Sequence, residues 1–337
     1  MYARFCFPPD LFLPKKHRMR LSVIIPVYNG AKTIGPLVAE VKAALAPHYE
    51  LEIVLINDGS PADNSADVCR QLAETDRSIK FLDLSRNFGE HNAVMAGLNH
   101  CTGDAAVIID DDFQNPPSQI TLLVDKLQEG FDVVFSRYDE KKHSPFRNYG
   151  SWFNNLAATV ILGKPYSLYL SSFKALNRFL INEITRYDGP FPYVDGLILR
   201  VTRRYTVVTV EHQERAGGRS GYTLRKLLSL WANMFTSFSV LPLRGAMMFG
   251  FFFSIASFLL AFAFAIEKMI HPDLPLGWAS VVVLLCLVAG VQLFSIGMIG
   301  EYLGRLFVSH NRRPQFVVRS AVNTKASPPR KEEQRDG

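Results

Sequence analysis

Ala105-Ala-Val-Ile-Ile109 runs without interruption into Asp110-Asp111-Asp112-Phe113-Gln114. The apolar, β-branched run reads as a strand buried on both faces. The carboxylates behind it cannot extend a core, because buried charge needs a partner. Asp110 and Asp112, spaced i and i+2, can point the same way from an extended chain, and Gln114 adds an oxygen on that side. Two carboxylates and an amide at a strand end suit a hard divalent cation that bridges phosphates. A local reading competes: Asp112 as the N-cap of a helix opening near Pro116-Pro117.

Upstream, the same pattern recurs. Leu21-Ser-Val-Ile-Ile-Pro26 closes on Asn29-Gly30, Leu51 to Ile56 stops at Asn57-Asp58-Gly59-Ser60, and Ile79 to Leu84 is a further strand. Between them lie helical patterns: Ile34, Leu37, Val38, Val41 and Leu45, then Val68 and Leu72, then about Glu90 to Leu98. Strands alternating with helices predict an α/β fold with a parallel sheet covered on both faces. Ligands of such sheets sit beyond the carboxyl ends of the strands, where these polar turns should converge. After Val134 the alternation ends. Phe146, Tyr149, Trp152, Phe153 and Leu156 suit one helix face, and Leu224, Leu227, Leu228, Trp231, Phe235 and Phe238 suit another. The second stripe, flanked by Arg225 and Lys226, reads as an interfacial amphipathic helix over 224–241, although core packing would produce either stripe. The tail after Arg319 is polar and reads as disordered.

Hydrophobic residues make up 48% of the chain, an ordinary share, so their distribution decides more than their number. Two runs without charge, Gly245 to Ile266 and Trp278 to Gly300, each approach the roughly 20 residues of a membrane-crossing helix. A connector with Glu267, Lys268, His271, Pro272 and Asp273 joins them, which predicts a transmembrane hairpin over 242–300; a buried helix pair is the alternative. Arg215, Arg219, Arg225, Lys226 and Arg244 precede the first run, and Arg305, Arg312, Arg313 and Arg319 follow the second. That bias places both termini and the large N-terminal region on the cytoplasmic side of the inner membrane. The formal net charge of +6 suits an anionic leaflet, and membrane lipids, rather than nucleic acid, are the expected partners. Cys6, Cys69, Cys101 and Cys286 lack metal-ligand spacing and read as reduced structural thiols. Residues 1–19 form an N-terminal extension without the layout of a secretory signal, and Met19 stands directly before the first strand.

Pro26-Val-Tyr28-Asn29, Asn57-Asp-Gly-Ser60, Arg86-Asn87-Phe-Gly89 with Ala93 and Gly97, and Asp110-Asp-Asp-Phe-Gln-Asn-Pro-Pro117 occur in that order. With the C-terminal hairpin, this set resembles family 2 glycosyltransferases of the GT-A fold, a Rossmann-like nucleotide-diphospho-sugar transferase domain, here over 20–223. The resemblance runs from about residue 20 to 318 and is strongest to the polyprenyl-phosphate glycosyltransferases. It implies a nucleotide-sugar donor, UDP- more than GDP-linked, bound by Pro26, Tyr28, Asn29, Asp58, Arg86, Asn87, Gly89, Asp110 and Asp111. It implies Mg²⁺ or Mn²⁺ on Asp110, Asp112 and Gln114. Arg137, within Ser136-Arg-Tyr138, Arg147 with Ser151, and Arg215 with Ser220 match the group's lipid-phosphate positions; converging guanidiniums hold phosphate well, while any single one is equally a solvated surface charge. A homo-oligomer, in the form of a tetramer, is a further implication, with 301–337 as a cytoplasmic, partly disordered tail.

Three departures stand out. Gly30 occupies a position where many relatives carry Glu, Ser220-Gly221-Tyr222 lacks the usual lysine, and Tyr169, ahead of Ser171-Ser172, stands where some relatives carry an acidic residue. The expected reaction is inverting transfer of one sugar to polyprenyl phosphate, for cell-envelope glycan or lipopolysaccharide modification. Asp112 is the principal catalytic candidate. Asp195, in Tyr193-Val-Asp-Gly196, is the available general base, or equally a turn residue. A processive synthase is disfavoured by the missing Gln-x-x-Arg-Trp motif; an inactive nucleotide-sugar-binding partner in a membrane assembly is the other alternative.

Overall fold

A computed structural model describes residues 18–138, 168–211, 277–310 and 314–324, with isolated positions between these segments. Eight strands form one sheet: β1 (Arg20–Val27), β2 (Glu50–Asn57), β3 (Ile79–Leu84), β4 (Ala105–Ile108), β5 (Val133–Tyr138), β6 (Lys174–Asn177), β7 (Tyr205–Val210) and β8 (Val318–Val322). Their spatial order is β7-β5-β6-β4-β1-β2-β3-β8. The helices are α1 (Ile34–Leu45), α2 (Ser65–Thr75), α3 (Glu90–His100), α4 (Ile120–Gln128), α5 (Arg178–Ile184), α6 (Val194–Val201) and α7 (Trp278–His310).

Side chains alternate across a strand, so β1 serves two cores. Val23 and Ile25 face one with α1 and α4, including Val38, Leu45, Leu123 and Val124. Ile24 faces the other with Val54, Ile56 and α3, then α5 and α6 through Leu180, Ile181, Leu197 and Ile198. Each fully buried aliphatic side chain contributes roughly 1.5–3 kcal/mol, which outweighs the modest helix propensity of these β-branched segments.

The expected α/β class is the one observed, but the sheet is mixed rather than parallel. β1 pairs in parallel with β2 and β4, and β2 with β3. β6 is antiparallel to both β4 and β5, and β8 is antiparallel to β3. β8 also corrects the expectation of disorder beyond Arg319. Its alternating residues Val318, Ser320 and Val322 are half-buried, and Phe316 and Val318 pack against the second core. α7 continues past Gly300 to His310.

Counting only the described residues, no helix is long and apolar enough to cross a membrane. The interfacial stripe at 224–241 and the stripe from Phe146 to Leu156 lie outside the described residues, as does half of the first apolar run.

Candidate active site

Parallel pairing brings the carboxyl ends of β1, β2 and β4 to one edge of the sheet, and β5 ends there too because β6, between β4 and β5, is antiparallel to both. The turn after β1 is fastened to the turn after β2. Asn29, at φ 55°, donates its backbone N–H to Ser60 Oγ (3.0 Å), and Asn29 Oδ1 accepts from the Ala62 N–H (3.2 Å). Ser60 Oγ donates to Asn57 Oδ1 (2.6 Å), and Asn57 Nδ2 donates to Asp83 Oδ1 on β3 (2.8 Å). Tyr28 projects from this frame, 49% exposed, available to a planar ligand.

Asp58 is buried, and its two oxygens accept the N–H groups of Phe88 (2.7 Å) and Gly89 (2.9 Å). Burial raises its pKa above the ordinary carboxylate value, with those two amides acting against the shift. The carboxylate fastens the Arg86–Gly89 loop to the end of β2. Gly59 completes the fastening: at φ +60° its Cβ position would fall 2.4 Å from the Arg86 carbonyl carbon and 2.6 Å from Asn87 N. Only glycine allows two backbones that close. Arg86 and Asn87 are exposed, and the Arg86 guanidinium stands 4.5 Å from the Phe88 ring centroid.

Beyond β4, Asp112 Oδ1 accepts the Gln114 N–H at 3.1 Å, with Phe113 at φ 60° between them. The N-cap alternative falls here: Gln119 caps α4, Pro116 caps the preceding 3₁₀ turn, and neither cap uses a side chain. Asp110 Oδ2 accepts a hydrogen bond from Ser172 Oγ at 2.6 Å. Burial, reinforced by Glu90 and then Asp112, pushes Asp110 up to about 7 against that bond and the charge of Lys174. Asp111 is pushed up to about 7 by burial, then by Asp110 and Asp112, although the Tyr28 backbone opposes it. Asp111 Oδ2 is buried without a hydrogen-bond partner. It fills the space that a side chain at position 30 would need, 2.1 Å from the Cβ position of Gly30.

This is a cluster short of positive charge, with an orphaned carboxylate oxygen, and a hard cation fits it. Among the described residues no group of three His, Cys, Asp or Glu side chains is placed to hold a metal ion by itself.

Around the cluster, Ser136 and Tyr138 were read only as flanks of Arg137, and Lys174 had no role in the sequence reading. Tyr138 OH donates to Asn115 Oδ1 at 2.6 Å, tying β5 to the loop after β4. Ser136 Oγ donates to Ser171 Oγ at 2.7 Å. Lys174 is buried in β6 and ion-paired with Asp195. A lysine directly after Phe173 and before Ala175-Leu176 was the available signal, since a charge placed among apolar residues has to be paired when buried. Arg137 is exposed at the end of β5, on the cluster's side. Asp195 lies in the first turn of α6, not in the turn that Asp-Gly suggests, and is 7% exposed. Arg147, Ser151, Arg215 and Ser220 lie outside the described residues.

Residues 22–188 match the family model "Glycosyl transferase family 2". The undecaprenyl-phosphate 4-deoxy-4-formamido-L-arabinose transferase of Proteus mirabilis is 31% identical over 94% of this chain and 98% of its own length. The glycosyltransferase YkcC of Bacillus subtilis is 31% identical over 90% and 94%. Among solved structures, glucosyl-3-phosphoglycerate synthase of Mycobacterium tuberculosis, with Mn²⁺, UDP and phosphoglyceric acid, is 18% identical. It covers 64% of this chain and 75% of its own, with a TM-score of 0.48.

Proposed function

The chain belongs to glycosyl transferase family 2, with the α/β GT-A fold, and from that premise we propose that it transfers one sugar from a nucleotide-sugar donor to undecaprenyl phosphate. The observation that carries this reading is the under-compensated carboxylate cluster after β4, set between the Tyr28 turn and the exposed Arg137, in a chain similar to undecaprenyl-phosphate transferases along nearly its whole length.

In this reading Asp110, Asp112 and Gln114 hold Mg²⁺ or Mn²⁺, which supplies Lewis-acid neutralisation of the leaving diphosphate. Tyr28 and the Asn29–Ser60 frame take the nucleoside, favouring a UDP-linked sugar. Asp58 acts at one remove, by holding the Arg86–Gly89 loop. Arg137, with Arg147, Ser151, Arg215 and Ser220, holds the lipid phosphate. A phosphate monoester has a second pKa near 6 and is largely dianionic at neutral pH. Its oxygen attacks the anomeric carbon from the face opposite the leaving group and inverts it, so positioning matters more than proton removal.

Undecaprenyl phosphate places the protein at a membrane. The apolar side chains of α7 support that seat: Leu285, Leu293, Phe294, Leu306 and Phe307 are all more than 60% exposed. We extend this to a two-helix anchor in the inner membrane with the catalytic domain cytoplasmic, as the basic flanks suggest, and to a homo-oligomer. The test is the purified full-length protein with undecaprenyl phosphate, Mn²⁺ and a panel of UDP-sugars, including the formamido-arabinose of the relatives. A glycosylated undecaprenyl phosphate, identified by mass spectrometry and lost on chelation, is expected. Binding of UDP-sugar without any transfer across the panel would favour the inactive-partner alternative.

A further inference from the structure

We propose that the buried Lys174–Asp195 pair is a strut that positions Asp110 for cation binding, so that Asp195 is a positioning residue and not a general base. The proposal rests on the glycosyltransferase reading above and deepens it.

Lys174 stands opposite Ile108 in the β4–β6 register, two residues from Asp110 along the neighbouring strand. It is 3% exposed; its ammonium is bonded to Asp195 Oδ1 and lies 5.6 Å from the Phe135 ring centroid. Just before it, Ser171 Oγ accepts from Ser136 Oγ (2.7 Å) and from the Phe173 N–H (3.2 Å). The segment 171–174 is thus pinned at one end to β5 and at the other to α6. Between the pins, Ser172 donates to Asp110 Oδ2 at 2.6 Å. That hydroxyl satisfies one carboxylate oxygen and fixes the plane of the group. Asp110 is the carboxylate nearest β4, so its orientation sets the inner wall of the cation site.

Asp195 is badly placed to act on a substrate. Lys174 occupies its Oδ1, and the residue is nearly closed to solvent. On the residue before Val194, the Tyr193 ring packs edge-on against His91 of α3, with centroids 5.0 Å apart. A general base has to come within hydrogen-bond reach of the proton it removes. A lipid phosphate that is already ionised has none to give up. A neutral buried pair, by contrast, stabilises a single arrangement, because removing either partner strands the other's charge in the core.

The test uses the full-length protein and four variants: Lys174→Met, Asp195→Leu, the double variant, and Ser172→Ala. Mn²⁺ affinity in the presence of UDP is measured by calorimetry, beside turnover and melting temperature. Each single pair variant should bind Mn²⁺ more weakly by about tenfold or more and melt earlier, having stranded a buried charge. The double variant should recover Mn²⁺ affinity and turnover together. Ser172→Ala leaves the pair intact, so it should keep the original melting temperature while losing about tenfold in Mn²⁺ affinity, the scale of one charge-assisted hydrogen bond. This variant decides the matter even where the pair variants fail to fold: unchanged Mn²⁺ affinity would break the link to Asp110. A double variant that binds Mn²⁺ normally yet turns over as slowly as Asp195→Leu would overturn the proposal and place Asp195 in the chemistry. Mn²⁺ binding needs no transfer, so an unmodified protein that binds Mn²⁺ and UDP but makes no product counts against the proposed function and not against the strut.

Discussion

Two carboxylate clusters sit at opposite ends of the same parallel strands, and their surroundings differ in kind. At the entry end, Glu52 accepts from Ser22 Oγ (2.6 Å), Thr102 N (2.8 Å) and Thr102 Oγ1 (2.7 Å), and pairs with Lys80 at 2.5 Å. Burial pushes its pKa up, yet Lys80, Ser22 and Thr102 together hold it below the ordinary value. At the exit end, burial and mutual repulsion win, and Asp110 and Asp111 are both pushed up to about 7. The Glu52 site is complete within the fold; the Asp110–Asp112 cluster is the one that the proposed cation would complete. Burial of a carboxylate alone therefore marks no function. Burial without enough donors does.

The sharpest way to break this contrast is to neutralise one acid at each end. Asp112→Asn removes a charged ligand from the exit cluster and should lower turnover by about a thousandfold, some 4 kcal/mol of barrier, while the melting temperature holds or rises. Retained turnover in that variant would remove the cluster from the chemistry. Glu52→Ala should do the reverse. It strands Lys80 and should destabilise the fold by about 3–5 kcal/mol, the scale of a broken buried pair, with kcat per folded molecule unchanged. Chemical denaturation and active-site titration separate these outcomes.

A smaller effect sharpens the comparison. Asp58 lies at the exit end with each oxygen bonded to an amide, those of Phe88 and Gly89, though burial still leaves its pKa raised where that of Glu52 is lowered. Asp58→Ala should cost about 2 kcal/mol of stability, since it removes charge-assisted bonds to two amides. It should also raise KM for the donor through the loosened Arg86–Gly89 loop, with kcat changed less. A large fall in kcat at unchanged stability would mean that Asp58 meets the substrate directly.

The first half of the sheet was readable because its strands are unbroken apolar runs with polar turns, and β1 to β4 fall within a residue or two of their expected bounds. The second half was not, for identifiable reasons. β6 carries Lys174, whose partner Asp195 stands 21 positions away on a helix, so no local pattern explains a charge in that strand. β8 shows its alternation locally, but its place beside β3 depends on contacts such as Arg319 to Ser85, 234 residues apart. At the site, Asp110, Asp112 and Gln114 are visible as a motif. The orphaned oxygen of Asp111 against Gly30, and the support from Ser172, depend on how separate loops meet, which spacing does not encode.

The smallest expected effect concerns His91, which faces Asp195, Lys174 and Tyr193 from α3. Burial pushes its pKa down to about 4, against the pull of Asp195 and with the help of Lys174. The folded state therefore holds His91 neutral where the unfolded chain, with a pKa near 6.5, takes up a proton. Its contribution to stability is fully present above pH 6.5 and is lost as pH falls toward 4. The exit carboxyls have the opposite sign: Asp110 and Asp111 bind protons more tightly when folded, so acidification through pH 7 favours the fold. A single melting curve would mix the two effects. His91→Phe keeps a ring against Tyr193 and leaves the carboxyls in place, so the difference between variant and unmodified protein isolates the histidine. Between pH 7 and 5.5 that difference should shift by about 1 kcal/mol in favour of the variant. A difference that stays flat across this range would show that His91 is free to protonate in the folded state, and that the region behind Asp195 is open to water.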